Sequence, residues 1–385
     1  MKLRYIIVIC ILCALTATTY VYLYNSHLTE SVTFNHVSVS ESEIVKKDNL
    51  SQKDTINILV IDGGGIRGLI PLYVLQHIEQ EVGQPINELF DVFSGVSTGA
   101  VIASGLNIPS DQLANQYSDY DSKVDLLIDL YKSQSDYLFS SPWHHKILSA
   151  SGFFSPKFLG ERLHKVLGKH YTEELKFTDL DNYVIIPSLD IHTGQVHLFK
   201  NRGKEVTELP TNSLYQLVTA AVSAETLFPP VDFMSSNKDI RHRYFADAGI
   251  SANNPASLAL LDIIKKFPNK KYYVLILGAG TSPLTSTETS YGKLKNWGSI
   301  QWIPDVITNV QRSMDQQQIY TMEIAKLLSA SGTVEYNYLN IEISDPSVGP
   351  FEYNNIDSLE IHSDRLIKEN RDAVQQVIQH LKQEC

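Results

Sequence analysis

The motif GVSTG at residues 95–99 places a serine where it can act as a nucleophile. Gly95, Ser97 and Gly99 fit G-x-S-x-G, an apolar strand-like run precedes Ser97, and small residues typical of a helix start follow it. This context is typical of a nucleophile elbow, in which a serine lies on a sharp strand-to-helix turn. Glycines on either side remove side chains that would collide with neighbouring backbone. Ser97 is therefore the candidate nucleophile, and a serine that only caps the helix is the alternative interpretation.

A serine nucleophile needs a base, and the segment RYFADAGISANNP contains Asp247 at the end of a second strand-like run. Ala248 and Gly249 then form the turn. In open α/β sheets, residues at the carboxyl ends of strands point into the crevice that holds the active site. Asp247 is the candidate base, although an aspartate that only orders its own turn is an alternative.

The loop DGGGIRG at residues 62–68 has two interpretations besides a simple tight turn. Gly63, Gly65 and Gly68 satisfy G-x-G-x-x-G, the fingerprint of dinucleotide-binding loops. Successive glycine amides can instead stabilise the oxyanion that forms when a serine attacks an ester. Under this second interpretation Gly64 and Gly65 are the candidate oxyanion-hole donors. Arg67 either holds the loop, for example through an ion pair, or adds positive potential near it.

A dinucleotide-binding oxidoreductase is the alternative function to test. Glu88 and Asp91 follow the glycine loop at about the spacing expected of an acid that binds the ribose. Asp91, however, leads directly into the strand that ends at Ser97, and Asp62 would repel a diphosphate. Protection of the protein by NAD or a nucleotide in a thermal-shift assay would support this alternative.

Taken together and in this order, DGGGIRG, GVSTG and DAG resemble the motifs of the patatin-like phospholipase family. The segments TAAVSAETLFPPVDF and VLILGAGT are also similar to that family, and the resemblance covers about residues 56–383. It implies that Ser97 is the nucleophile, Asp247 the base and the 63–68 loop the oxyanion hole. The residues that match supporting motif positions are Gly63, Arg67, Gly68, Gly95, Gly99 and Gly249.

One position departs from the pattern of the family. Its last motif usually reads Asp-Gly-Gly or Asp-Gly-Ala, whereas the middle residue here is Ala248. An alanine would be strained at this position if a positive φ were required, and the placement of Asp247 would then change.

The resemblance implies a serine-aspartate lipid acyl hydrolase that forms an acyl-enzyme and uses membrane lipids as its substrate. It implies no cofactor. An unperturbed aspartate, with a pKa of about 3.9, is a poor base for a hydroxyl, so Asp247 must be desolvated. A Ser-Asp-His triad using His362 or His380 is the mechanistic competitor, but we expect both rings on a solvated helix face. A catalytically inactive relative that binds lipid is a third possibility.

Strand-like runs alternate with helical patterns from residue 56 onward. This alternation predicts an α/β fold with a mostly parallel central sheet sandwiched by helices, and the resemblance implies the patatin-like form of it. Residues 355–383 have the pattern of one amphipathic helix that packs on the sheet. The strand-like runs are INILVID (56–62), FDVFSGV (90–96), YVIIPSLDIHT (183–193), HRYFAD (242–247) and YYVLILGAG (272–280).

The N-terminal residues are predicted to target the protein to a membrane. Lys2 and Arg4 precede an apolar run over residues 5–24, which is about the length that spans a bilayer. Residues 1–24 are therefore a signal peptide or a signal anchor, and the polar residues 25–54 a linker. The catalytic domain at residues 55–385 is expected outside the cytoplasm, either membrane-anchored or secreted.

Composition excludes several classes of protein. A formal charge of −11 and a pI near 5.5 argue against nucleic-acid binding. The cysteines are Cys10, Cys13 and Cys385, so the body of the chain has no disulfide framework or cysteine zinc site. His144 and His145 lack a third ligand at suitable spacing, so we expect no metal and activity that survives chelators. The sequence leaves the protein partners unknown.

An apolar segment at residues 136–159 is the candidate lid or acyl-chain groove. It contains Phe139, Trp143, Phe153 and Phe154 among prolines and serines. An enzyme that cleaves lipids needs an apolar surface for chains that leave a membrane. A connection packed into the core is the alternative interpretation.

Overall fold

The computed structural model describes residues 33–35, 49–113, 119–149, 152, 155–172, 174–203, 206, 209–234, 242–283, 299–345 and 347–384. The predicted targeting segment at residues 1–24 and most of the predicted linker lie outside these ranges. Within the ranges, we find no helix that combines the length and the apolar character needed to cross a membrane.

The strands of the described chain join in one sheet. They are β1 (Thr33–Asn35), β2 (Thr55–Ile61), β3 (Val92–Gly95), β4 (Tyr183–Asp190), β5 (Gln195–Lys200), β6 (Val231–Met234), β7 (His242–Asp247), β8 (Lys271–Leu277) and β9 (Val334–Leu339). The α-helices are α1 (Leu69–Val82), α2 (Ile86–Leu89), α3 (Thr98–Gly105), α4 (Lys123–Phe139), α5 (Trp143–Leu148), α6 (Gly160–His170), α7 (Leu214–Val222), α8 (Gly249–Ala252), α9 (Ala256–Lys266), α10 (Ser299–Ala330), α11 (Ser358–Glu369) and α12 (Arg371–Glu384).

The sheet has a parallel centre and antiparallel pairings to one side of it. Neighbours follow the order β1-β6-β7-β4-β3-β2-β8-β9, and β5 pairs with β4. The pairings β1–β6, β2–β3, β2–β8, β3–β4 and β8–β9 are parallel, whereas β4–β5, β4–β7 and β6–β7 are antiparallel. The predicted α/β class with a mostly parallel sheet is confirmed.

Helices cover both faces of β2, which explains why its sequence is apolar without interruption. Ile58 and Val60 face a cluster that includes residues of α9 and α10. Leu59 and Ile61 face a larger cluster that includes residues of α1 and α3. Strand β2 is thus buried on both sides, and it delivers the glycine loop at residues 62–68 to the edge of the sheet where β3 also ends.

Strands β3 and β7 both pair with β4 and meet each other end to end. Strand β3 pairs in parallel with residues 183–185, and β7 pairs antiparallel with residues 188–190. Because β5 occupies the other edge of β4 over residues 185–190, β3 and β7 must share the remaining edge. Their carboxyl ends therefore point at each other across Ile186 and Pro187. Proline has no amide hydrogen, so Pro187 leaves no unsatisfied donor at this interruption.

Two predictions about the ends of the domain differ from the structure. The single amphipathic helix predicted at residues 355–383 was wrong, because α11 and α12 are separated at Asn370, whose side chain donates a hydrogen bond to the Leu366 carbonyl. Asparagine favours such local bonds over a helix interior. Residues 33–35 of the predicted linker form β1 in the sheet, where the ring of Phe34 packs on Phe233 with centroids 5.9 Å apart.

Candidate active site

Ser97 lies on a strained turn between β3 and α3. Its φ of 55° and ψ of −123° are an unusual combination for a residue with a side chain. A Cβ on Gly95 would lie 2.0 Å from the Gly99 carbonyl oxygen, and a Cβ on Gly99 would lie 2.3 Å from the Ile61 carbonyl oxygen. Both glycines are therefore required by close backbone contacts, which is the geometry expected of a nucleophile elbow. Ser97 makes no side-chain cap bond to its helix.

Asp247 is the last residue of β7 and meets Ser97 where β3 and β7 converge. The two side chains lie close enough that the Ser97 hydroxyl, as a hydrogen-bond donor, lowers the pKa of the Asp247 carboxyl group. The Gly249 amide donates a hydrogen bond to Asp247 Oδ1 at 2.7 Å. The Asp247 amide donates to the Ser223 carbonyl at 3.0 Å, so its backbone is fixed as well.

The carboxyl group of Asp247 is only 3% exposed, and burial raises its pKa to about 7. Hydrogen bonds from Ser97 and from the Gly249 amide oppose this rise, and the negative charge of Glu225 adds to it. Desolvation is the largest cause, because a carboxylate loses more hydration free energy on burial than a neutral acid. Asp247 is thus a stronger base than an ordinary aspartate.

Ala248 adopts a conformation that alanine tolerates. Its φ is −84° and its ψ is 4°, so no positive φ is required at the position where the sequence departs from the family pattern. Gly249 supplies the close approach instead, since a Cβ there would lie 3.2 Å from Asp247 Oδ1. The departure at Ala248 therefore leaves the placement of Asp247 intact.

The glycine loop lies against the elbow. A Cβ on Gly63 would be 3.4 Å from Ser97 Cβ, which shows how closely the loop approaches the nucleophile. The Gly63 amide donates to the Asn253 carbonyl, whereas no acceptor is assigned to the Gly64 and Gly65 amides among the described residues. Gly65 has a φ of 58°, and a Cβ there would lie 2.1 Å from the Pro350 carbonyl oxygen. In the described part of the chain, these two loop amides thus have no backbone acceptor.

Arg67 and Gly68 hold the loop in place. Arg67 is buried, and its Nε donates to the Val348 carbonyl at 2.7 Å while Nη2 donates to Ser282 Oγ at 3.4 Å. A Cβ on Gly68 would lie 2.4 Å from Thr98 Oγ1, so this glycine permits contact between the loop and the elbow. Of the two roles suggested for Arg67, these bonds favour holding the loop.

The residues proposed for a dinucleotide site are not brought together. Asp91 lies at the amino end of β3, where its carboxylate accepts from the Asn57 amide and pairs with Lys53, and Glu88 is exposed nearby. The glycine loop follows the carboxyl end of the parallel neighbour β2, at the opposite end of these strands. A neutral Asp62 would repel a diphosphate less than the sequence suggests, because burial raises its pKa well above the ordinary value.

An apolar cavity opens beside Ser97. Of the segment predicted to be a lid or acyl-chain groove, Phe139 lines the cavity, whereas Trp143 is exposed to solvent and does not. Phe153 and Phe154 lie outside the described residues. The cavity is lined by Gly65, Ser97, Thr98, Val101, Leu130, Tyr131, Gln134, Ser135, Leu138, Phe139, Leu163, Val166, Leu167, Val222, Ala224, Phe228 and Phe351.

Most of this cavity wall was missed from the sequence. Leu130, Gln134 and Leu138 recur at the spacing of one helix face, which predicts a packed surface but not the cavity that it lines. Tyr131 was also missed. Its hydroxyl hydrogen-bonds both the side chain and the carbonyl of Thr98, so it ties α4 to the residue after the nucleophile.

The sequence predicted that both candidate triad histidines lie on a solvated helix face. This prediction was wrong, because neither ring is fully solvated. The His380 ring is half-buried and stacks on Tyr273 at 3.5 Å, and its Nε2 is 3.1 Å from Asn57 Oδ1. His362 is half-buried, with a buried Nδ1 that has no hydrogen-bond partner among the described residues. Burial lowers the pKa of both rings. No hydrogen bond joins either ring to Ser97 or Asp247 in the described chain.

The described residues contain no group of three or more His, Cys, Asp or Glu side chains arranged to hold a metal ion. His145 is buried, and its Nε2 lies 3.0 Å from the Pro156 carbonyl oxygen, whereas His144 is exposed. These two histidines therefore have different structural environments despite being adjacent.

Comparison with known proteins identifies relatives of the chain. Residues 59–260 match the family described as patatin-like phospholipase. Patatin-like protein 3 of Arabidopsis thaliana is 26% identical over 306 residues, which cover 69% of this chain and 70% of the relative. Patatin-like protein 4 of the same plant is 27% identical over 319 residues, covering 74% and 76%. The structure of human GIVD cytosolic phospholipase A2 aligns with a TM-score of 0.42 at 10% identity, covering 90% of this chain and 61% of that one.

Proposed function

The chain belongs to the patatin-like phospholipase family, and from this premise we propose that it hydrolyses carboxylic ester bonds of lipids through a Ser97–Asp247 dyad. Family membership supports the coarser statement, that it is a lipid acyl hydrolase. The observation that carries the dyad is the convergence of β3 and β7 on one edge of β4, which brings Ser97 to the buried Asp247 carboxylate.

In the first half of the reaction, Asp247 accepts the hydroxyl proton of Ser97 as Oγ attacks the ester carbonyl. The oxyanion that develops accepts hydrogen bonds from the Gly64 and Gly65 amides. Each such donor contributes on the order of 3–4 kcal/mol to stabilising the transition state. The tetrahedral intermediate collapses to an acyl-serine, and the leaving alcohol takes the proton from Asp247.

In the second half, water attacks the acyl-serine and passes a proton to Asp247. Collapse of the second tetrahedral intermediate releases the fatty acid, and Ser97 Oγ recovers a proton from Asp247. The raised pKa of Asp247 suits both directions of proton transfer, because a base works best when its pKa lies near the working pH. No imidazole or cofactor takes part in either half.

The apolar cavity supports a fatty-acyl substrate. It begins at Ser97 and Gly65 and is lined mostly by aliphatic and aromatic side chains. An acyl chain lying in the cavity would bring its ester carbonyl to the mouth, beside Ser97 and the glycine loop. Burial of the methylene groups contributes about 0.8 kcal/mol for each one removed from water.

The test is hydrolysis of a panel of phospholipids, lysophospholipids, galactolipids and neutral glycerides, with products identified by mass. Wild type should release free fatty acid, and Ser97→Ala and Asp247→Asn should each lose about 10⁴-fold or more. Labelling of Ser97 by a fluorophosphonate probe is the control for a reactive nucleophile. Failure of wild type to react with the probe and to release fatty acid would instead favour an inactive lipid-binding relative.

A further inference from the structure

Helix α5 presents large apolar side chains to solvent. Trp143 is 75% exposed and Ile147 is 68% exposed. The two are four residues apart, so they lie on the same helix face. His144 and Lys146 are exposed beside them, and we call these four residues the α5 surface.

The inner face of α5 is fixed to the domain, so this exposure is not a sign of a detached segment. His145 is buried, with Nε2 3.0 Å from the Pro156 carbonyl oxygen, and the Ser149 amide donates to the His145 carbonyl at 2.8 Å. Just before the helix, the Ser141 hydroxyl donates to the Lys157 carbonyl at 2.8 Å. The α5 surface is therefore held outward by a packed helix.

This surface lies next to the aromatic end of the acyl cavity. Phe139 lines the cavity only four residues before Trp143, and four residues of chain span at most about 14 Å. The Phe139 ring packs on Phe158 and Phe351, with centroids 5.4 Å and 5.6 Å apart. An acyl chain that enters the cavity at this end would come from the side on which Trp143 is exposed.

The chain segment that contains α5 has a charge opposite to that of the chain as a whole. Residues 140–170 contain five lysines and arginines but a single acidic residue, although the chain carries a formal charge of −11. Lys146 and Lys165 are both exposed. A basic region around exposed tryptophan and isoleucine is complementary to an anionic lipid surface, because lysines bind the head groups while apolar rings enter the interface.

We propose that the α5 surface docks the enzyme on an anionic phospholipid bilayer, with Trp143 and Ile147 inserted at the interface and Lys146 at the head groups. The aromatic end of the cavity then faces the lipid, so an acyl chain can move from the bilayer into the cavity without crossing water. This inference rests on the proposed function for its lipid substrate, but the docking itself requires no catalysis.

A second exposed apolar row serves as the matched control. On α10, Tyr320 is 65% exposed and Leu327 is 74% exposed. The charged side chains between them, Glu323 and Lys326, form an ion pair and cancel each other. This row has comparable apolar exposure without a surplus of positive charge, so we expect it to stay in water.

The experiment measures the depth of a single tryptophan in the full-length chain. Trp297→Phe and Trp302→Phe leave Trp143 as the sole tryptophan, since the chain has three. Ser97→Ala is added so that lipid is not consumed. In the control, Trp143→Phe replaces the remaining tryptophan and Tyr320→Trp introduces one on α10. Each protein is mixed with vesicles of phosphatidylcholine, with and without phosphatidylglycerol, in which a fraction of the lipid is brominated.

Brominated lipid should quench Trp143, more strongly with phosphatidylglycerol present, and should leave the Tyr320→Trp variant unquenched. Lys146→Glu should raise the concentration of anionic lipid needed for half-maximal quenching of Trp143 about tenfold. An unquenched Trp143, equal quenching of the two proteins, or no dependence on anionic lipid would overturn the proposal. Because quenching is read without turnover, a failure of docking stays distinguishable from a failure of the proposed chemistry, which a short soluble ester reports separately.

Discussion

The two sides of the active site are built in different ways. The proposed catalytic wall, formed by residues 62–68, 95–99 and 247–249, consists of backbone amides, glycines and the side chains of Ser97 and Asp247, with almost no free space for an added Cβ. The cavity wall, formed largely by α4 and α6, consists mostly of apolar side chains around open space. Changes to the first wall should act on every substrate, whereas changes to the second should depend on the acyl chain.

Apart from the Ser97 and Asp247 variants, the largest effect is expected at Gly99. A Cβ there would lie 2.3 Å from the Ile61 carbonyl oxygen, so Gly99→Ala must displace either α3 or β2. We expect kcat/KM on every ester to fall at least about 10³-fold, or the protein to become insoluble. Gly168→Ala in α6 is the control, because its Cβ would sit 3.5 Å from Tyr215, an ordinary contact. Full activity and probe labelling in Gly99→Ala would show that the tight wall is not needed.

The second effect concerns pH and also belongs to the catalytic wall. Asp247 has a pKa raised to about 7 and must be ionised to accept a proton, so kcat/KM should fall as pH drops below that value. The expected slope is about tenfold per pH unit, on short and long esters alike. The measurement is a pH profile from about pH 5 to about pH 8 with a soluble ester.

The variant Glu225→Gln tests whether the pH dependence comes from Asp247. The charge of Glu225 contributes to raising the pKa of Asp247, so its removal should move the acid limb of the profile to lower pH. A profile that is flat down to pH 5 would contradict a base with a raised pKa, and an upward shift would contradict the assigned sign.

The third effect tests the cavity wall. Val166 lines the cavity and is nearly buried, so Val166→Phe fills part of the space that an acyl chain would occupy. We expect the ratio of activity on a palmitoyl ester to that on a butyryl ester to fall about tenfold. Activity on the butyryl ester should change little. Equal losses on the two esters would remove the distinction between the walls.

The smallest effect is expected at the two histidines outside both walls. His362→Ala and His380→Ala should each retain kcat/KM within about threefold, because neither ring bonds the dyad. His380→Ala should still lower the free energy of unfolding by about 1 kcal/mol, since it loses the stacked contact with Tyr273. A loss of a hundredfold or more in either variant would restore a triad.

The residues of the proposed catalytic wall could be picked out from the sequence because they come in short motifs. Gly95 and Gly99 are required by contacts within a few residues or with the adjacent strand. The need for glycine can therefore be inferred from the motif alone. The cavity wall could not be predicted from the sequence. Leu138, Val166 and Phe351 come together only after α4, α6 and the segment before α11 have packed. Their apolar character indicates burial, but burial against another side chain and burial around a cavity have the same pattern.

Some features of the catalytic wall also needed the structure. The conformation of Ala248 depends on where Gly249 makes its close approach to Asp247, and a motif comparison does not supply that dihedral angle. The antiparallel direction of β7 was not predicted either, since an apolar run has no direction until its neighbours are known. The break at Asn370 was missed because α11 and α12 continue one apolar periodicity across it.

The shared edge of β4 sets the distance between the two side chains of the proposed dyad. Ser97 and Asp247 are far apart in the chain, yet the register of two short strand pairings on one neighbour sets their separation. A slip of either pairing by one residue would shift a reactive group by about 3.3 Å and turn alternate side chains to the other face. Insertions in the loops between these strands would leave both pairings with β4 unchanged, so we expect related sequences to vary in length there. An insertion within residues 183–190 would change the separation of Ser97 and Asp247, so we expect it to be selected against.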